Sequence, residues 1–195
     1  MSTQQLTREV AHRTFAAEFN DATHTFTESD DERAPNYALL PTGERVNRIF
    51  AVGTLTETDD VGDDSEYWRG RVVDPTGTFY VYAGQYQPEA AAVLRDAEPP
   101  AYVAVVGKPR TYERDDGSIT VSVRPESISL VDAAVRDRWV LETATRTLDR
   151  IERFREHPEE TYSAMARDHY GEDVSAYRDQ VISAIESLEP VQAPA

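Results

Sequence analysis

Cysteine is absent from this chain, which excludes a disulfide framework, a thiolate metal site and a catalytic thiol. Lysine is almost absent too: Lys108 is the single lysine among 20 basic residues, and the rest are arginine. No apolar run approaches the length that a membrane-spanning helix needs. The N-terminus is polar without an apolar h-region, so no secretory leader is expected. These absences lead to the expectation of a soluble, cytoplasmic protein with no membrane partner.

Carboxylates are abundant instead. Asp and Glu number 36 against 20 Lys and Arg, a net charge of −16. Dense carboxylates hold hydration in a salt-rich cytoplasm, and strong screening blunts their mutual repulsion. Acidity alone does not explain why arginine is kept while lysine is lost, so a halophilic source is expected. A charge of −16 ordinarily opposes nucleic acid, whose affinity leans on cations meeting phosphates. The informative places are those where arginine and aromatics locally outnumber the acids.

The 195 residues suit one compact domain with an appendage, or two small domains. Thr7 to Asn20 carries a helical stripe (Leu6, Val10, Thr14, Ala17) with Thr7 as N-cap. Asp21 to Asn36 reads as a loop, and PTGERVN (Pro41–Asn47) as a turn. RIFAVGTLT (Arg48–Thr56) alternates as a strand, with Gly53 marking a bulge or a close backbone approach. An acidic loop, Thr58–Glu66, leads to a second strand, Tyr67–Val73. Asp74-Pro75-Thr76-Gly77 is a turn in which Gly77 is expected at positive φ. The third strand, TFYVYAGQY (Thr78–Tyr86), carries Phe79, Tyr80, Tyr82 and Tyr86.

A short helix follows over Gln87–Ala97, with Pro88 in its first turn. The fourth strand is Ala101–Arg114, Asp115-Asp116-Gly117 makes a hairpin, and the fifth is Ser118–Val131 with Pro125 breaking it late. Three strands, a helix and two strands make a five-stranded Greek-key barrel of the OB-fold kind. The fold class expected is therefore mainly β plus α: an OB-fold barrel over residues 47–131, after an N-terminal helix and lead-in loop (1–46). A C-terminal helical region covers 132–189, and residues 190–195 form a disordered tail. The tail helices carry the stripe Leu141, Ala144, Leu148, Ile151, then Val181 and Ile185. They are expected to close on themselves as a small three-helix unit, or else to dock a partner. If they dock a partner, deleting residues 133–195 should abolish complex formation while leaving the barrel folded.

No catalytic constellation is visible. His12, His24, His157 and His169 are scattered without metal spacing, and no phosphate loop or nucleophile elbow is present. The expectation is a protein that is not an enzyme, with no cofactor, no metal and no small-molecule substrate. A binding platform is the better reading. Inward parity for Phe79, Val81 and Ala83 leaves Tyr80 and Tyr82 facing out, and the same parity leaves Arg69 and Arg71 out on the second strand. OB barrels bind oligonucleotides on the strand 2–3 face and on the 1–2 and 4–5 loops. Tyr86 lies at the end of the third strand, and KPRTYER adds Lys108, Arg110, Tyr112 and Arg114. Nucleic acid is the partner this points to, by base stacking on the aromatics and arginine contacts. The plainer reading is that Tyr80 and Tyr82 are ordinary strand residues on a half-buried surface, with the N-terminal helix as a candidate cover.

The run APNYALLPTGERVNRIFAVGTLTE (Ala34–Glu57), followed by WRGRVVDPTGTFYVYAGQYQPEAA and preceded by REVAHRTFAAEF, resembles the replication protein A-associated proteins of haloarchaea. The resemblance implies an accessory OB-fold subunit of a single-stranded DNA-binding replication protein A complex, nucleoid-associated, serving replication, repair and recombination. It implies a larger replication protein A subunit as partner, met through the helices, and places Tyr80 and Tyr82 on the DNA face. Gly84 stands where such domains often carry a stacking aromatic. The alternative is a scaffold that stabilises the larger subunit without touching DNA.

Overall fold

The computed structural model describes residues 8–188, so Leu6, Thr7 and the 190–195 tail lie outside it. Five strands close into a barrel: β4 (Ile49–Asp60), β5 (Trp68–Asp74), β6 (Gly77–Ala83), β7 (Ala101–Glu113) and β8 (Ile119–Leu130), in the order β4-β5-β6-β8-β7. All neighbours are antiparallel except β6 and β8, which meet in parallel at Val81 and Val123. One helix, α2 (Pro88–Asp96), separates β6 from β7. This is the OB-fold arrangement. Closure needs β4 to serve two partners. Its first half pairs with β7 and its second with β5, the strand bending at a bulge between Leu55 and Glu57. Gly53 sits at that handover, where an added Cβ would lie 2.5 Å from the Val73 carbonyl oxygen. The close approach expected there is present.

The N-terminal segment differs from the helix-and-loop expectation. Among the described residues of this segment only α1 (Ala16–Asp21) is helical; residues 8–15 form no helix, and His12 is bridged to Ile49 through Phe50 N–H donating to the His12 carbonyl at 2.9 Å. The helical stripe misled because Thr14 and Phe15 are both buried, at 0% and 2% exposure, while Val10 points to solvent. Asp21 to Val46 holds a three-stranded antiparallel sheet: β1 (Thr25–Thr27), β2 (Asn36–Leu40) and β3 (Glu44–Val46). Strands of three and five residues carry too few alternations to announce themselves.

Smaller differences have local causes. Gly77 has no positive φ; it opens β6, and the turn is held by Asp74 instead. The Asp74 carboxylate accepts from the Thr76, Gly77 and Ala16 backbone N–H groups at 2.6, 2.9 and 2.7 Å, which ties α1 to the hairpin. Pro125 does not end the last strand. It faces Gly107 across a bulge that leaves Glu126 as the extra residue.

Helix α3 (Ala133–Glu156) begins at Asp132, whose side chain accepts from Val135 N–H at 2.9 Å as an N-cap. Its buried face is Val140, Thr143, Ala144, Thr147, Ile151 and Phe154, whereas Leu141 is 50% exposed and Leu148 38%. Thr147 is tolerated there because its Oγ1 donates to the Thr143 carbonyl at 2.8 Å; the buried Thr143 Oγ1 finds no partner among the described residues. Helices α4 (Thr161–Tyr170) and α5 (Ser175–Glu186) follow. They do not close with α3 as a separate three-helix unit. Trp139, Val140 and Ala144 of α3 and Val181 and Ala184 of α5 share one core with barrel residues such as Ile49, Val52 and Phe79. Tyr170 at the end of α4 donates to the Leu39 carbonyl of β2 at 2.9 Å, and Leu39 packs with Ile151, Phe154, Ala166 and Val174. The helices therefore bind the N-terminal sheet to the barrel.

Candidate nucleic-acid interface

Alternation on β5 and β6 places the expected side chains on one face. Phe79, Val81 and Ala83 are buried, and Arg69 stands directly across from Tyr82, and Arg71 from Tyr80. The face does not stop at these two strands. β4 continues through what reads in the sequence as an acidic loop, so Asp59 pairs with Arg69 and Glu57 with Arg71 in the register. The side chains follow: Arg69 Nη2 lies 2.7 Å from Asp59 Oδ2, and Arg71 Nη1 lies 3.4 Å from Glu57 Oε2. Each row across the sheet therefore reads acid, arginine, tyrosine, and both arginines already hold a carboxylate.

Tyr67 completes the row at Tyr82. The two rings are stacked with centroids 5.7 Å apart and an interplanar angle of 22°. Space for Tyr67 exists because residue 84 is glycine; a Cβ there would meet Tyr67 Cδ2 at 2.9 Å. Asp60 aims the loop. Its Oδ1 accepts from the Tyr67 and Gly62 N–H groups, both at 3.0 Å, while Val61 N–H donates to the Tyr67 carbonyl at 2.8 Å. Those backbone donors, Tyr67 first, hold the Asp60 carboxyl below the usual carboxylate range.

Beyond Ala83 the chain leaves β6, so Tyr86 is not on the strand. It sits 80% exposed in a turn closed by Gln87 N–H donating to the Gly84 carbonyl at 2.9 Å. Across from it, the outward side of β7 and β8 carries Lys108 opposite Arg124, Arg110 opposite Ser122 and Tyr112 opposite Thr120. Tyr112 is 67% exposed. Between these groups lies a cleft of about 570 Å³ lined by Tyr67, Tyr82, Tyr86, Arg110, Tyr112 and Arg124. Of the nine residues picked out in the sequence, Tyr82, Tyr86, Arg110 and Tyr112 meet in this cleft, Lys108 borders a neighbouring one, and Arg114 lines neither. Arg69, Arg71 and Tyr80 share the sheet face but not the cleft. Sequence reasoning passed over Tyr67 and Arg124. Arg124 was readable as an outward residue of the fifth strand; Tyr67 depends on a glycine just past the end of β6.

The N-terminal helix is not a cover for this cleft. α1 is tied to the opposite end of the β5–β6 hairpin, where Asn20 Nδ2 donates to the Thr78 carbonyl at 2.8 Å. Thr78 and Tyr82 are about 13 Å apart along the strand. Among the described residues no group of three or more metal-ligating side chains is gathered, and no helix is long and apolar enough to cross a membrane.

No protein-family model matches the chain, and no curated protein matches it in sequence. Solved structures resemble it in fold. The mitochondrial single-stranded DNA binding protein Rim1 of S. cerevisiae is 23% identical with a TM-score of 0.35, over 44% of this chain and 94% of that one. The second single-stranded DNA binding protein of Mycobacterium smegmatis is 19% identical with a TM-score of 0.38, over 44% and 87%. An OBody bound to hen egg-white lysozyme is 13% identical with a TM-score of 0.40, over 60% and 87%. The barrel assignment rests on strand order and pairing.

Proposed function

We propose that this chain is a binding protein rather than an enzyme, and that it holds single-stranded DNA by base stacking in the Tyr67–Tyr82–Tyr86–Tyr112 cleft. The observation that carries this reading is the stacked Tyr67–Tyr82 pair opening onto Arg110 and Arg124. Unpaired bases stack on aromatic rings at about 1–3 kcal/mol each, whatever their sequence. Arginine adds phosphate contact or cation–π attraction. Among the described residues, Lys108, Arg110 and Arg124 have no carboxylate partner within 4.0 Å, unlike Arg69 and Arg71. Stacking also survives salt that would screen ion pairs, which suits a chain of charge −16.

The finer reading is an accessory OB-fold subunit of a haloarchaeal replication protein A complex, working beside a larger subunit in replication, repair and recombination. Its support is the resemblance of Ala34–Glu57 and the hairpin after it. A scaffold role is the second reading. It is favoured by the carboxylates of Asp59 and Glu57, which occupy Arg69 and Arg71, and by Leu141, Leu148, Ile182 and Ile185, which are 38–50% exposed on α3 and α5.

Fluorescence anisotropy of a labelled single-stranded oligonucleotide in molar KCl separates the two. Binding that Tyr67→Ala/Tyr82→Ala weakens by about 1–3 kcal/mol per lost stack supports the DNA reading. A folded chain that binds no oligonucleotide overturns it and leaves the scaffold, to be tested by pull-down of the larger subunit.

A further inference from the structure

A second cleft, of about 500 Å³, opens between the β7–β8 hairpin and the N-terminal sheet. Lys108, Arg110 and Arg124 line it from the barrel, and Arg33, Asn36 and Asn47 from the other side. Its walls hold six cationic side chains, with Arg8 and Arg48 as the other two, against the carboxylates of Glu9 and Glu126. In a chain of net charge −16 such an excess is unexpected on any surface.

The distribution of ion pairs sharpens the point. Among the described residues, twelve of the 20 basic residues have a carboxylate within 4.0 Å. Of the remaining eight, four (Arg33, Lys108, Arg110 and Arg124) line this one cleft. The carboxylates present are already engaged. Arg48 holds the Glu126 carboxylate with two bonds of 2.8 Å, the Tyr37 hydroxyl donates to the Glu9 carboxylate at 2.5 Å, and Arg48 Nη1 donates to the Glu9 backbone carbonyl at 2.5 Å. Arg48 is 6% exposed, so this bonding makes a fixed floor rather than a mobile rim. Glu126 is presented there because the β7–β8 bulge adds it as an extra residue. Asn47 Nδ2 donates to the Asn36 carbonyl at 2.7 Å, which fixes the far wall.

Arg110 and Arg124 line both this cleft and the aromatic one, so the two are continuous. The aromatic cleft offers ring faces and the second cleft offers none; its polar lining is six cations, the amides of Asn36 and Asn47 and the two carboxylates. We propose that the second cleft is a phosphate-binding subsite that carries a single strand off the barrel and along the edge of the N-terminal sheet. This rests on the reading that the aromatic cleft binds unpaired bases. Bases are held at Tyr67, Tyr82, Tyr86 and Tyr112, and the phosphates that follow run past Lys108 and Arg124 to Arg33. The N-terminal sheet is then part of the nucleic-acid site and not merely packing for the helices.

The test uses the full chain with two labelled oligothymidylates, of about four and about sixteen nucleotides, the span of footprints taken by one OB barrel. Affinities are measured across a KCl series. Each phosphate contact contributes about 0.7 to the slope of log K against log salt for a single strand. Arg33→Ala, at an exposed position, is expected to lower the slope for the long oligonucleotide by about 0.7 and to leave the short one unchanged. Arg178→Ala removes another arginine, on α5, that has no carboxylate within 4.0 Å among the described residues, and is expected to change neither. Intact binding of both lengths with an unaltered slope in Arg33→Ala overturns the subsite and leaves the aromatic cleft standing. Absence of binding at either length by the unsubstituted chain overturns the aromatic reading and the subsite together.

Discussion

Tyr67 lies over Gly84 and stacks on Tyr82, so the ring that residue 84 lacks is supplied from the adjacent strand's leading loop. The stack depends on an absence of side chain. A methyl at residue 84 would stand 2.9 Å from Tyr67 Cδ2, closer than carbon atoms sit in ordinary contact.

Gly84→Ala is therefore expected to displace the Tyr67 ring and weaken oligonucleotide binding, with the barrel intact. Tyr67→Ala should reproduce the loss, about 1–3 kcal/mol, and the double substitution should add little to either alone. Additive losses in anisotropy titrations would mean that Gly84 acts on something other than Tyr67.

The barrel was legible because each of its parts has a local signal. Alternation in Arg48–Thr56 and Tyr67–Val73, the Asp74–Gly77 turn, the Asp115–Gly117 hairpin and the alanine-rich helix agree on one topology. Inward parity of Phe79 and Val81 followed from the same alternation. What escaped was set by distant partners. Asp59 and Glu57 look like loop residues until the bulge after Leu55 carries β4 past them and lays them against Arg69 and Arg71. Tyr67 looks like the first residue of a strand until Asp60 turns it over Gly84. The outward arginines were found, but not that they are already paired.

Asp60 gives the cleft a pH dependence. Its carboxyl is held below the usual range by the Tyr67 and Gly62 N–H groups. A carboxyl depressed on folding stabilises the folded loop above its unfolded pKa, about 3.9, and loses that contribution as pH falls through the lower folded value. The loop is thus expected to hold at neutral pH and loosen in acid. Asp60→Ala should loosen it at pH 7. Amide hydrogen exchange at Gly62 and Tyr67 reads this directly: faster exchange there, with β7 and β8 still protected, is the expected pattern.

Arg150 reaches from α3 into the junction of the barrel and the N-terminal sheet. Its Nη2 lies 2.8 Å from the carboxylate of Glu18, which is 1% exposed, and its Nε donates to Thr42 Oγ1 at 3.0 Å. Arg150→Met leaves the Glu18 charge buried without its partner, an expected cost of about 3–5 kcal/mol. Glu18→Leu/Arg150→Met removes both charges and should recover most of it. Urea midpoints at constant m give the comparison. A single variant as stable as the parent would show that Thr42 alone satisfies Glu18.

The helices should be needed by the barrel itself. Trp139 is 2% exposed, meets Phe15 edge to face at 5.6 Å, and donates its indole N–H to the Phe50 carbonyl of β4 at 2.9 Å. Trp139→Ala empties a large volume in a core shared with Ile49 and Val52, at about 3–5 kcal/mol. That is a large part of what a domain of this size has to lose. Deleting residues 133–195 removes Val140, Ala144, Val181 and Ala184 from the same core as well. The truncated chain is expected to lose its cooperative urea transition, contrary to what the sequence led one to expect. A truncated chain that keeps a sharp transition and its β-sheet circular dichroism would make the helices a separable appendage, and would return them to consideration as a docking element free of any duty to the fold.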